Sequence, residues 1–308
     1  MSLDQAQGFA LALSSMVLYG LYMVPRKSTG IGQGAFTFWM GCGILAGTCA
    51  FGLLFGGLER VTLAQFAWMF ASGVVWATGT HAYCRGVQLI GLSRSTPVKN
   101  TSAMLGTLLG IAAFHEFASG DGWAVGMVLA GSLAVVVSAT MLGRVESNDE
   151  AEMRKIRPGY YAYGVVCSVW AAIAFSVYTV PMKALYAQGV SPSGFLFYMG
   201  FGCFAGMCLT AALTGGFARG QVMTWRDRNL AQVSGIMWAV GSYCANVAVK
   251  LIGVAVTWPL TKNTVVAVLY GVLVLKEVDA RRHRRDLWIG LVLSVAGVAL
   301  LALAMGRR

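Results

Sequence analysis

The sequence predicts an all-α integral membrane protein of ten transmembrane helices, arranged as two inverted five-helix repeats. Three observations carry that prediction. Of 308 residues only 11% are charged and 57% are hydrophobic, against roughly 25% charged in an ordinary soluble domain, and the mean hydropathy is +0.67. Apolar runs of about 20 residues, each the span of a helix through roughly 30 Å of hydrocarbon, recur from end to end. The second half also repeats the first. This composition excludes a soluble enzyme.

The first run, 8–25, follows MSLDQAQ, which contains no Lys or Arg. A cleaved signal peptide needs a positive n-region, so this helix is expected to be retained. Further apolar runs place helices at 35–56, 66–90, 94–114 and 123–143. The segment 144–159, RVESNDEAEMRKIRPG, is the one long polar interruption and reads as a linker. Beyond it helices are expected at 160–181, 194–214, 229–250, 253–275 and 286–305. The chain thus divides into a first five-helix repeat over 1–143 and a second over 160–308.

The internal repeat is read directly from the residues. YMVPRK (22–27) matches YTVPMK (178–183) at four of six positions, and FTFWMGCGILAGTC (36–49) matches FLFYMGFGCFAGMC (195–208) at eight of fourteen. SGVVWATGTHAYCRGVQLIG (72–91) matches SGIMWAVGSYCANVAVKLIG (234–253) at nine of twenty. STPVKNT (95–101) then answers TWPLTKNT (257–264) with one residue inserted. Apolar bias alone does not bring Pro, Trp, Lys and Asn into register. A unit of five crossings starts and ends on opposite sides, so the second copy must lie upside down, an architecture that many secondary transporters use.

The net charge is +11, from 23 Lys and Arg against 12 Asp and Glu. Most basic residues fall in short loops, the footprint of topology control rather than of nucleic-acid binding. Alternate loops carry 15 basic residues on one side and 5 on the other, which places both termini outside. The seven cysteines all lie within apolar runs without metal-ligand or redox spacing, and read as small packing residues. There is no catalytic triad, phosphate-binding glycine loop or metal-ligand cluster, so no catalytic residue, cofactor or metal is expected and an ATP-driven pump is excluded for this chain alone.

Ten helices in a five-plus-five inverted repeat resemble the drug/metabolite transporter superfamily over essentially the whole chain. Within it, YGLYMVPRKSTGIGQGAFTFWMGCG (19–43) and VYTVPMK (177–183) resemble the glucose/ribose-porter-type sugar transporters and the related rhamnose/proton symporter. In those proteins the first helix of each half ends in a similar V-P-x-K. Glu116 and Glu277, closing the fourth helix of each half ahead of a glycine-containing fifth, also fit the superfamily. Arg26 and Met182 depart from it, standing where such motifs often carry a small or apolar residue. The resemblance implies a secondary transporter in a bacterial inner membrane, with a sugar as substrate and protons as the coupling ion of a symport. The lipid bilayer and a small-molecule substrate are the partners expected, with no nucleic acid.

Candidate site residues are polar groups at bilayer depth, where a charge costs at least about 2.5–3.5 kcal/mol and so faces a wet cavity or a partner. His81 and Arg85, four apart, share a helix face. Their repeat equivalents are Tyr243 and Val247, a break in symmetry that a purely structural role does not predict. The structural alternative is a histidine bonded to a neighbouring helix and an arginine snorkelling to the interface. Lys99 and Asn100, with Lys262 and Asn263, follow prolines that remove a backbone donor near the start of paired helices, a pointer to a substrate site. The alternative is that Pro97 and Pro259 merely begin their helices, with both lysines solvated. Trp39, Trp76, Trp238 and Trp258, with Tyr19, Tyr22, Tyr178, Tyr198 and Tyr243, could offer ring faces to the apolar side of a sugar, together with Asn246. The alternative is ordinary membrane packing or an interfacial belt; Trp76 and Trp238, repeat-related and near mid-helix, stand out among them.

His81, Glu116 and Glu277 are the groups able to carry a coupled proton, with structural pairing of each Glu as the alternative. Tyr22 with Pro25, and Tyr178 with Pro181, are candidate gates or simply helix ends. The rival functions are an exporter of amino acids, drugs or other metabolites, an organic-anion or sugar-phosphate exchanger using Lys99, Lys262 and Arg85, and a lipid-handling membrane protein.

Overall fold

A computed structural model describes residues 2–90, 92–117, 121–145, 158–217, 223–262 and 283–305, with Val265, Val266, Leu269, Tyr270 and Val274. The regular structure of the described residues is helical throughout. In chain order the helices are α1 (Leu3–Leu21), α2 (Val24–Lys27), α3 (Gln33–Leu54), α4 (Leu63–Ile90), α5 (Leu92–Ala112), α6 (Gly122–Val145), α7 (Pro158–Val177), α8 (Thr179–Ala187), α9 (Pro192–Leu213), α10 (Trp225–Ile252), α11 (Val254–Thr261) and α12 (Arg284–Met305). Among the described residues seven stretches are long and apolar enough to span a membrane: Leu3–Arg26, Gln33–Leu54, Gly122–Leu142, Gly159–Ala187, Pro192–Leu213, Trp225–Ile252 and Arg284–Met305. The chain is an all-helical integral membrane protein. Helices α4 and α5 are less apolar because they carry Thr78, Thr80, His81 and Arg85, and Lys99, Asn100 and Ser102.

Two helices read as continuous from the sequence are broken. The expected helix 8–25 is α1 and α2, and 160–181 is α7 and α8. The cause is the same in both halves. A proline clashes with the carbonyl four residues back and offers it no N–H; Pro25 lies four residues after Leu21, the last of α1, and Pro181 four after Val177, the last of α7. At the first break the Tyr22 carbonyl accepts a hydrogen bond from the Ser234 hydroxyl of α10. The expected helix 253–275 is interrupted too, since Val265, Val266, Leu269 and Tyr270, where the chain is described again, are helical. Helix α11 ends at Thr261 with Lys262 as its C-cap, and most of the remainder, including Asn263, lies outside the described residues, as do Glu277 and residues 146–157 of the expected linker.

Polar caps set other boundaries. Ser2 and Gln5 exchange side-chain and backbone bonds at the start of α1, and Thr224 and Asp227 do so for α10. Helices α3 and α9 are followed by Gly56 and Gly215, both at φ +70°, the left-handed position at which a helix turns off and glycine costs no Cβ strain.

Helix contacts come in matched sets. Helix α1 packs on α10 as α7 packs on α4; α3 packs on α10 as α9 packs on α4; α5 packs on α7 as α11 packs on α1. Three further contacts, α3 on α9, α5 on α11 and α6 on α12, join counterparts directly. Small residues permit the closest approaches. A Cβ on Gly43 would strike the Gln232 carbonyl, and one on Gly202 the Phe70 carbonyl. At Gly47 it would lie 2.7 Å from Ala239 Cβ, and at Gly206 2.6 Å from Ala77 Cβ.

Candidate functional site

Where α1, α4, α5, α7 and α10 meet the α11–Lys262 turn, they leave a small cavity of about 80 Å³. Helix α1 and the break after it contribute Tyr19, Gly20 and Tyr22; α4 contributes Trp76 and Tyr83; α5 contributes Lys99. Phe175, Trp238, Thr261 and Lys262 complete the wall.

Trp76 and Trp238 meet across this wall, their ring centroids 4.2 Å apart and their planes inclined at 42°. Each ring is nearly buried, and Phe175 packs 6.4 Å from Trp76. The Tyr19 and Ser242 hydroxyls are 2.8 Å apart, tying α1 to α10 beside the cavity. Glycine makes room for the second tryptophan layer: a Cβ on Gly106 of α5 would collide with the Trp258 indole. That indole donates its N–H to the Phe175 carbonyl at 3.0 Å.

The two lysines are surrounded by rings rather than carboxylates. Lys262 Nζ lies 5.2 Å from the Tyr19 and Trp258 centroids and 5.3 Å from that of Phe175. Lys99 Nζ lies 4.9 Å from the Tyr83 ring. The negative faces of aromatic rings attract an ammonium at such distances, by about 0.5–2 kcal/mol per contact depending on desolvation. Neither lysine forms an ion pair among the described residues.

Of the residues expected at the site, Trp76, Lys99, Trp238, Lys262 and Tyr22 line the cavity together. Others do not. His81 is half-buried and Arg85 exposed, and neither borders the cavity. Tyr243 points elsewhere, stacked on Phe51 at 4.7 Å and 12° and on Phe55 at 4.9 Å and 24°. The reason is helical geometry. Five residues along a helix is 500°, or about 140° around from the start, and both His81 and Tyr243 stand five residues beyond a cavity tryptophan. Asn100 and Asn246 are buried, with both amide atoms of Asn100 and Nδ2 of Asn246 lacking a protein partner. Tyr178 is buried and packs on Trp258 at 5.6 Å; Pro25 is buried and Pro181 half-buried.

Glu116 belongs to a separate cluster. It follows His115, whose φ of +49° turns the chain after α5. Its carboxylate accepts the N–H groups of Val254 and Ala255, both at 2.8 Å, and pairs with Lys183 at 2.9 Å. It therefore caps the positive end of α11 and binds the end of α5 to α8 and α11. Glu59, which the sequence did not single out, does related work by accepting the Ser191 N–H at 2.9 Å, at the start of α9.

A family model described as sugar transport protein matches residues 10–304. The chain belongs to this family. It is similar to a probable glucose uptake protein GlcU of Priestia megaterium, with 24% identity over 235 residues, 76% of this chain and 77% of the relative. The glucose uptake protein GlcU of Bacillus subtilis is 22% identical over 79% of this chain and 80% of its own length. A putative sugar uptake protein of Listeria innocua is 24% identical over 96% of this chain and 98% of its own. A crystal structure covering 99% of this chain and all of its own superposes with a TM-score of 0.73 at 20% identity, a likeness of fold alone.

Proposed function

We propose that the protein carries a sugar across the bacterial plasma membrane by alternating access between two inverted five-helix halves, residues 1–143 and 160–308. The observation that carries this reading is the meeting of Trp76 and Trp238, equivalent residues of the two repeats, at a cavity between the halves. Indole rings suit the apolar C–H face of a pyranose, while Tyr19, Thr261 and the lysines offer groups for its hydroxyls. Relatives named for glucose and sugar uptake support the substrate class. The matched helix contacts support the repeat, and its five crossings per half require inversion.

The two halves differ in exposure, which supports two gates. Tyr22 borders the cavity and is half-buried, whereas Tyr178 is buried together with Thr179, Met182 and Leu185 of α8. With basic loops inside and both termini outside, the cavity faces the cytoplasm on the Tyr22–Pro25 side and is closed on the Tyr178–Pro181 side. Protons are the coupling ion of this reading, carried by His81 or by one of Glu116 and Glu277, of which Glu116 is already held by Lys183 and two backbone N–H groups.

Counterflow of labelled glucose in proteoliposomes tests the function. Saturable exchange, accelerated by internal sugar and reduced about tenfold by Trp238→Ala, is the expected result. Exchange no faster than in empty liposomes, for every sugar tried, contradicts it.

A further inference from the structure

We propose that the cavity is built for a monosaccharide carrying an anionic group, a carboxylate or a phosphate, received between the ammonium groups of Lys99 and Lys262. The inference rests on the sugar-carrier reading and narrows its substrate class.

Both lysines line the same cavity, and among the described residues the rest of its wall is uncharged. Among the described residues neither lysine meets a carboxylate. The buried acid of the neighbouring cluster, Glu116, is already engaged by Lys183 and two backbone N–H groups. The rings around Lys262 and Lys99 offset part of the loss of water but supply no countercharge. A neutral hexose would leave the two ammonium groups either uncompensated or forced to give up a proton in a closing, low-dielectric cavity. An anionic group on the sugar supplies the missing charge, while its ring rests on Trp76 and Trp238.

The placement of the lysines fits a carrier. Lys99 and Lys262 occupy corresponding positions in STPVKNT and TWPLTKNT, so each half brings one cation to the centre. When the halves exchange conformations, the pair of charges is preserved and the anion keeps its partners on either side of the membrane. Arg85, the third cation that an anion-exchanger reading of the sequence would use, is exposed outside the cavity; the pocket's positive charge is that of the two lysines.

The test compares glucose, glucuronate and glucose 6-phosphate as ligands of the purified full-length protein, read by tryptophan fluorescence and by inhibition of counterflow. One or both anions should bind at least tenfold more tightly than glucose, and the more tightly bound of the two names the anionic group. Lys99→Gln and Lys262→Gln should each reduce the anion-over-glucose ratio at least tenfold, while Lys262→Arg keeps it. Glucose binding as tightly as both anions to the unsubstituted protein overturns the proposal and leaves the sugar reading standing. An anion preference that persists in both glutamine variants also overturns it. If none of the three sugars binds and an amino acid does, both readings fall.

Discussion

Trp76 on α4 and Trp238 on α10 come from the same position of two repeats and meet with ring centroids 4.2 Å apart. Both rings line the same cavity. The repeat in the sequence is thus joined to the site by a single contact.

Removing either ring should weaken sugar binding. Trp76→Ala and Trp238→Ala are each expected to raise the half-saturation concentration for counterflow about tenfold, equivalent to about 1.4 kcal/mol. Phenylalanine at either position should recover part of the loss. An unchanged half-saturation in both alanine variants would remove the indoles from the site.

Glu116 ties three segments together, so its loss should be felt as stability. Glu116→Ala leaves Lys183 and the Val254 and Ala255 N–H groups without their partner. Breaking a fully buried pair costs about 3–5 kcal/mol, and less is expected here because the Lys183 side chain is partly exposed. Thermal unfolding of the purified protein should show a large drop in Tm. Adding Lys183→Ala should lower it less than the single effects together predict, because the pair is coupled. Additive effects would mean that the two residues act independently.

The close helix crossings make a further prediction. Gly43→Leu and Gly202→Leu would each drive a side chain into a facing backbone carbonyl, of Gln232 and Phe70 respectively. Both should abolish the monodisperse peak in size-exclusion chromatography. Gly126→Leu on α6, where a Cβ meets nothing within 4 Å, should leave it intact. Equal behaviour of all three would deny that these glycines set helix spacing.

Proton coupling is tested at His81. His81→Ala should abolish uptake driven by a pH gradient while sparing counterflow, which needs no driving ion. A variant that retains gradient-driven uptake excludes this histidine from the proton route.

The membrane helices were legible because they announce themselves by length and apolarity, while the repeat is a reading of residues that apolarity does not select. The breaks at Tyr22 and Tyr178 were less so. Each proline was visible, but the point of interruption lies four residues earlier, at the carbonyl its ring displaces. At the site, Trp76, Trp238, Lys99 and Lys262 could be found because they are repeat-related or costly in lipid. Tyr19 was legible only as one of many aromatics that could face a sugar, and Phe175 and Thr261 could not be singled out, since one aromatic or hydroxyl residue in an apolar run looks like any other. Tyr83 carried a signal that went unused: seven residues from Trp76 is two helical turns, which returns it to the same face. The same arithmetic turns His81 and Tyr243 away. Glu116 was visible as a helix-end acid, but its partners, Lys183 and the start of α11, lie in the other half of the chain and are brought to it only by folding.

Alternation between two gates is the central claim, and labelling from defined sides tests it most directly. Val24 and Val180 are equivalent residues of the two broken segments. Each is to be replaced singly by cysteine in a chain whose seven native cysteines are alanine, then treated with a membrane-impermeant maleimide from either side of oriented vesicles. The account predicts that Val24→Cys reacts from the cytoplasmic side while Val180→Cys is protected, and that saturating transported sugar increases labelling of Val180→Cys from the outer side. Labelling of both positions from one side, or labelling indifferent to sugar, would contradict it.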